Sequence, residues 1–205
     1  MKCELVTLSW SGNIKNLYYV SSDGLKTMNV YESGFNIPEE YKGPPTIAFY
    51  TDQAVAAMPP EKRPPPVGIA KLPATGGSVL LLFTPVPDSP GKLDVKVIDN
   101  ALAGFPLGAY RVFNLDPKPV LIATDRTVHP AIGPQRLAIL KPASGDPVRD
   151  MDVRIAVNGK EIYSSSWGHR ENRRTTVFIS PDPRGHDQLL IRKFFQIFTP
   201  PPAQP

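Results

Sequence analysis

Apolar and polar residues alternate with a period of two in short runs along this chain, and Gly, Pro, Asn and Asp separate the runs. Successive side chains of a strand point to opposite faces, so this pattern predicts strands half-buried against a core. The clearest is 92–99, where Leu93, Val95 and Val97 face inward while Asp94 and Lys96 face water. Two runs, 79–83 and 194–198, are apolar at nearly every position, which fits central strands covered on both sides or strands at an interface. Further strands are predicted at 4–10, 46–51, 67–72, 110–115, 120–124, 136–140 and 175–179. No stretch carries the period of an amphipathic helix.

Turn chemistry locates two hairpins. Asn158-Gly159 separates an apolar-alternating run, 152–157, from 160–163, and Asn-Gly readily supplies the two positive φ values of a type I′ turn. A regular ladder from that turn sets Val157 against Lys160, Ile155 against Ile162 and Arg154 against Tyr163. Val153, Ile155, Val157 and Ile162 then share the core face, and Arg154, Glu161, Tyr163, Ser165 and Trp167 the other. The second hairpin joins 17–20 to 25–31 through Ser21-Ser22-Asp23-Gly24, with Gly24 in a left-handed position.

The spacing of these elements predicts an all-β protein, an antiparallel β-sandwich of Ig-like or jelly-roll-like kind with many short strands and little helix. Leu93, Val95, Val97, Val112, Val153, Ile155, Val157, Val177 and Ile179 are expected in one main core. Residues 1–58 read as N-terminal β-hairpins on a main sandwich at 67–198, and 199–205 as a Pro-rich disordered tail. Between them, 59–66 reads as an extended Pro-rich loop or linker.

Composition sharpens this picture. Pro supplies 25 of the 205 residues, more than twice its usual share of about 5%, which disfavours long helices. Hydrophobic residues at 41% and charged residues at 20% suffice for a globular core. Cys3 is the only cysteine, which excludes an internal disulfide and a Cys-rich zinc site. The longest apolar run, 79–83, is far short of a membrane span, and the region around Met1 lacks the apolar core of a signal peptide. The net charge of +4 arises from basic and acidic residues spread along the chain, with no dense basic block.

Few motifs suggest chemistry. Leu72-Pro73-Ala74-Thr75-Gly76 resembles the sortase recognition pentapeptide, but it lies mid-chain between two predicted strands and reads as a turn. No Gly-x-Ser-x-Gly elbow, His-Glu-x-x-His pair or Gly-rich phosphate loop is present. None of His129, His169 and His186 lies at ligand spacing from another His or Cys. A metal site would need His169 and His186 from rim loops with Asp182 or Asp187. No catalytic, cofactor-binding or metal residue is therefore assigned.

The segment 167–174 joins Trp167 to Arg170, Arg173 and Arg174, and the assumed parity places Arg154 and Tyr163 beside it. An aromatic flanked by guanidinium groups can anchor an interface, and Arg pairs with carboxylate or phosphate. Arg154, Tyr163, Trp167, Arg170, Arg173 and Arg174 form the candidate binding patch. Glu171 interrupts the basic run, which falls short of the contiguous basic face that nucleic acid requires. Trp10, Tyr18, Tyr19, Tyr163 and Trp167 supply the alternative of an aromatic platform for sugar.

The stretches 105–115, 80–85 and 176–179 resemble a pattern in uncharacterised exported β-rich proteins of Gram-negative bacteria. The resemblance implies a sandwich fold and an envelope location, periplasm or outer envelope if a leader has been removed, and cytoplasm otherwise. The expected function is a non-catalytic structural or binding module at the bacterial envelope with a protein or glycan partner. The alternatives are a hydrolase or metal-dependent enzyme with its site in rim loops, or a carbohydrate-binding module.

Overall fold

The computed structural model describes residues 1–142, 145–185 and 188–197. The protein is all-β: sixteen strands are described, against one α-helix of five residues, α1 (Gln53–Ala57), and one 3-10 turn, Pro60–Lys62. Asp52 caps α1 by accepting from the Ala54 and Val55 amides at 2.7 and 3.3 Å. The chain divides into two compact units, Met1–Gly104 and Phe105–Pro205.

The first unit contains β1 (Lys2–Ser9), β2 (Ile14–Ser21), β3 (Gly24–Val30), β4 (Glu39–Lys42), β5 (Thr46–Phe49), β6 (Gly68–Lys71), β7 (Gly77–Pro85) and β8 (Leu93–Asp99). One sheet has the order β4-β1-β7-β8. The other strands form the pairs β2-β3 and β5-β6, linked where Tyr18 and Tyr50 exchange backbone hydrogen bonds of 2.8 and 2.9 Å. Leu5, Leu81, Phe83 and Val95 from the four-stranded sheet share a buried cluster with Leu17, Tyr19, Met28, Ile47 and Phe49. The predicted hairpin is β2–β3, closed by Ser21 opposite Gly24 at φ +104°.

The second unit contains β9 (Tyr110–Asn114), β10 (Val120–Thr124), β11 (Thr127–Val128), β12 (Arg136–Leu140), β13 (Val148–Val157), β14 (Lys160–Arg170), β15 (Arg173–Pro181) and β16 (Leu189–Ile197). Its sheets have the orders β12-β9-β15-β16 and β11-β10-β13-β14. Both contribute to one buried cluster, with Tyr110, Val112, Val177 and Ile179 from the first and Val120, Ile122, Met151, Val153, Ile155 and Trp167 from the second.

The two units repeat one topology. In each, the first strand pairs antiparallel with the fourth and parallel with the seventh, and the seventh pairs with the eighth. The remaining strands run third, second, fifth, sixth in both. Correspondence extends to single residues. β7 and β15 are both nine residues long and end at Pro85 and Pro181, and the connections that follow, 86–92 and 182–188, have the same length. Leu5 lies opposite Val79 as Tyr110 lies opposite Thr175, and each ladder ends with an amide donating across it, Trp10 to the Phe83 carbonyl and Leu115 to the Ile179 carbonyl.

Several expectations need correction. The sheets are not purely antiparallel, because β1–β7 and β9–β15 run parallel. There are two buried clusters: Leu93, Val95 and Val97 belong to the first and Val112, Val153, Ile155, Val157, Val177 and Ile179 to the second. Of the loop and the linker expected for 59–66, the structure has the loop, within the connection between the paired strands β5 and β6, and only its extended form is corrected, because Pro60–Lys62 winds into the 3-10 turn. The β1–β7 ladder draws residues 77–85 to the N-terminal strands, so the division falls after Gly104.

Buried on both faces, Val79 to Phe83 sit in the interior strand β7 as expected, whereas β16 is an edge strand with Phe195 and Ile197 on the surface. Phe198 and the Pro-rich tail lie outside the described residues. Pro73 to Gly76 form a turn between β6 and β7, with the Gly76 amide donating to the Pro73 carbonyl at 3.0 Å.

Ile155 is fully buried in the second cluster, so Ile155→Ala should destabilise the protein by about 2–5 kcal/mol in urea denaturation. A change under about 1 kcal/mol would show that the site collapses around the smaller side chain.

Candidate functional site

The predicted patch depends on the parity of β14, and the structure reverses it. Asn158 and Gly159 adopt φ values of +52° and +76°, and Val157 lies opposite Lys160 as a two-residue turn requires. Ala156 then lies opposite Glu161, but Ile155 lies opposite Tyr163, leaving Ile162 as the extra residue of a β-bulge. One inserted residue exchanges the faces of everything beyond it. Tyr163 turns toward the core, Trp167 lies opposite the buried Met151, and Ser164 takes the place beside Arg154.

Trp167 is consequently a core residue, 2% exposed. Its indole N–H donates to the Tyr163 hydroxyl at 2.9 Å, its ring lies 5.8 Å from Tyr110, and the Lys193 ammonium sits 4.9 Å from it. Tyr110 in turn stacks on His169 at 5.8 Å and shares a hydrogen bond of 3.3 Å with its Nδ1. Tyr163, Trp167, Tyr110 and His169 form a continuous aromatic column at the end of the cluster. Sequence reading missed Tyr110 because it is remote from the patch along the chain; the parallel β9–β15 ladder brings it there.

Charged groups surround the His169 end. The Arg149 Nη1 donates to the Asp125 Oδ2 at 2.7 Å, and the Asp152 amide donates to the Asp125 Oδ1 at 3.0 Å. Burial alone would raise the Asp125 carboxyl, but these donors outweigh it and hold the group below its ordinary range. Burial, reinforced by Arg149 and partly offset by Glu171, lowers the His169 imidazole, and burial raises the Tyr110 hydroxyl against the pull of Arg173. A cavity of about 280 Å³ opens beside them, lined by Leu107, Gly108, Ala109, Lys141, Pro142, His169 and Glu171.

The arginines disperse. Arg174 is buried on the opposite face of β15, where Nη1 donates to the Phe105 carbonyl and Nη2 to the Gln196 Oε1, both at 3.1 Å. Phe105 is flanked by two guanidinium groups, Arg111 at 4.1 Å and Arg174 at 5.0 Å from its centroid. Arg173 is half-buried, donates to the Gly168 carbonyl and stacks 4.3 Å over Phe195. Arg170 is exposed at the end of β14. Arg154 lies on the outward face of its sheet, lining a shallow cavity of about 180 Å³ with Leu121, Ala123, Val128, Ala156 and Glu161. The six residues therefore form no single patch.

The histidine expectation also changes. His169 lies in β14 and is buried, not in a rim loop, and His129 is buried with its Nε2 hydrogen-bonded to the Thr124 hydroxyl at 2.7 Å. His186 and Asp187 lie outside the described residues, while Asp182 forms an ion pair with Arg184 at 2.6 Å. Among the described residues no group of three His, Cys, Asp or Glu is placed to hold a metal ion. The five aromatics do not form a sugar platform, because Tyr19 and Trp167 are buried in different clusters.

Fold and site together define an all-β protein of two topologically equivalent units. No protein-family model matches the chain, and no curated protein is similar to it. No helix among the described residues is long and apolar enough to cross a membrane.

Two measurements check this account. Trp167→Ala should cost about 3–5 kcal/mol in denaturant unfolding, as for a large aromatic removed from a core, whereas a surface anchor would leave stability unchanged. Burial holds both His129 and His169 below their ordinary pKa in the folded state. The unfolded chain therefore takes up protons near about pH 6.5 that the folded chain resists. Stability should be greatest above that range and fall as the pH drops through it; a melting temperature constant from about pH 7.5 to 5.5 would contradict the assignment.

Proposed function

We propose that this chain is a non-catalytic binding or structural module of the bacterial envelope, each unit a β-sandwich. The observation that carries the reading is where its versatile side chains spend their polar atoms: Trp167 on Tyr163, His169 on Tyr110, His129 on Thr124 and Arg174 on Phe105 and Gln196. These groups are committed to internal bonds, and the one between Tyr110 and His169 joins the two sheets of the second unit. The sandwich assignment is supported by the shared cluster of the two four-stranded sheets in the second unit. The envelope location is supported by the resemblance of 105–115, 80–85 and 176–179 to exported β-rich proteins. Its partner is a protein; Trp167 is not available to stack on a glycan ring.

The rival is an enzyme using the cavity beside His169. Purified protein incubated with ester, phosphate and glycoside substrates, with and without added zinc or magnesium, should show no turnover. Turnover abolished by Glu171→Gln at unchanged melting temperature would establish the rival. Fractionation of a Gram-negative host expressing the native gene should place the protein in the periplasm or outer envelope, and a cytosolic product would remove that part of the reading.

A further inference from the structure

We infer that the free edge of β16 is a docking site for an extended, acidic segment of a partner protein, which adds to the sheet as a further strand. This rests on the binding-module reading and names its contact surface. Among the described residues β16 pairs on one side only, with β15, so the other side of a nine-residue strand presents its backbone groups to an incoming chain.

The repeated topology supplies the comparison that makes the surface of β16 informative. Its counterpart in the first unit, β8, likewise begins at a leucine after a connection of equal length, so Val97, Asp99 and Ala101 correspond to Lys193, Phe195 and Ile197. The fold accepts an acidic residue where β16 carries Phe195, which is 46% exposed, and β8 ends at Asp99, so no strand position of the first unit calls for Ile197, which is 65% exposed. Neither large apolar group is demanded by the architecture. The same substitution pattern places a cation, Lys193, where β8 has a partly buried valine packed on the core.

Charge selects the occupant. From Leu189 to Ile197 the strand carries Arg192 and Lys193 and no acidic residue, and Arg173 stacks on Phe195 beside them. Inward-pointing lysines are a common guard against indiscriminate pairing of edge strands. Here that guard is also a selector, because an incoming strand with carboxylates opposite Arg192 and Lys193 gains attraction where a neutral or basic strand meets a desolvation or repulsion cost. The seam behind the edge is also less closed than its counterpart. In the first unit the Leu93 amide donates to the Val67 carbonyl at 2.7 Å just before β6, whereas no backbone bond joins β14 to β16 among the described residues.

The test uses the whole chain as bait for a phage-displayed library of random dodecapeptides. Two variants borrow residues from the first unit: Phe195→Asp with Ile197→Ala, and Lys193→Val. Enriched peptides should carry adjacent acidic residues to face Arg192 and Lys193, with apolar residues two and four positions along to face Phe195 and Ile197, and synthetic copies should bind about tenfold more weakly to the double variant. Binding should also weaken with Lys193→Val and with added salt. Lys193→Val introduces the side chain that β8 carries at the matching position, Val97, so it remains decisive if the double variant unfolds. Enrichment of basic or unpatterned peptides, or peptides indifferent to both variants, would overturn the proposal. Sedimentation of the chain as an oligomer that the double variant dissociates would overturn it in favour of a second copy. Turnover in the substrate assays would instead defeat the non-catalytic reading, so the two failures are distinguishable.

Discussion

Each unit is organised by one parallel ladder, β1 with β7 and β9 with β15. These pairings join segments separated by most of a unit's length, so ordering them costs loop-closure entropy that only the burial they produce can offset. Once closed, each ladder fixes an interior strand with cluster residues along one face: Val79, Leu81 and Phe83 on β7, and Val177 and Ile179 on β15. The antiparallel strands flank these ladders, joined by short turns and neighbouring edges.

The second determinant is local. A bulge of one residue at Ile162 decides that Trp167 and Tyr163 face the core and that Arg154 does not share their surface. The aromatic column from Tyr163 to His169 exists only because this inversion meets Tyr110, delivered by the parallel ladder. Polar atoms that would read as a binding surface on a regular strand become the internal bonds of a two-sheet packing. The buried guanidinium groups of Arg111 and Arg174 around Phe105 follow the same logic on the other face of β9 and β15.

The topological repeat gives each position of one unit a reference in the other. Residues that the shared architecture requires are matched in kind, as Leu81 is by Val177 and Phe83 by Ile179. Exposed apolar residues with no apolar match in the other unit mark where one unit serves something other than its own core. The Lys193 to Ile197 end of β16 is such a place. The connections between fifth and sixth strands also differ: a long Pro-rich segment in the first unit and Asn158-Gly159 in the second.

Alternation and turn chemistry determined much by themselves. The all-β class, the half-burial of β8, the span of β10 and β12, and both hairpins were legible because period two and an Asn-Gly or Asp-Gly turn are properties of consecutive residues. Four features were settled only by tertiary structure: the division at Gly104, the parallel ladders, the edge position of β16 and the bulge at Ile162. An apolar run reads the same whether a strand is central or at an edge, since its neighbours come from elsewhere in the chain. A bulge leaves composition and spacing unchanged, and here it turns Tyr163 and Trp167 to the core, an outcome that depends on partners remote in the sequence. The repeat was hidden for a related reason: the units share which face is apolar and where strands turn, while Leu5 and Tyr110, or Val79 and Thr175, fill matching core positions with different side chains.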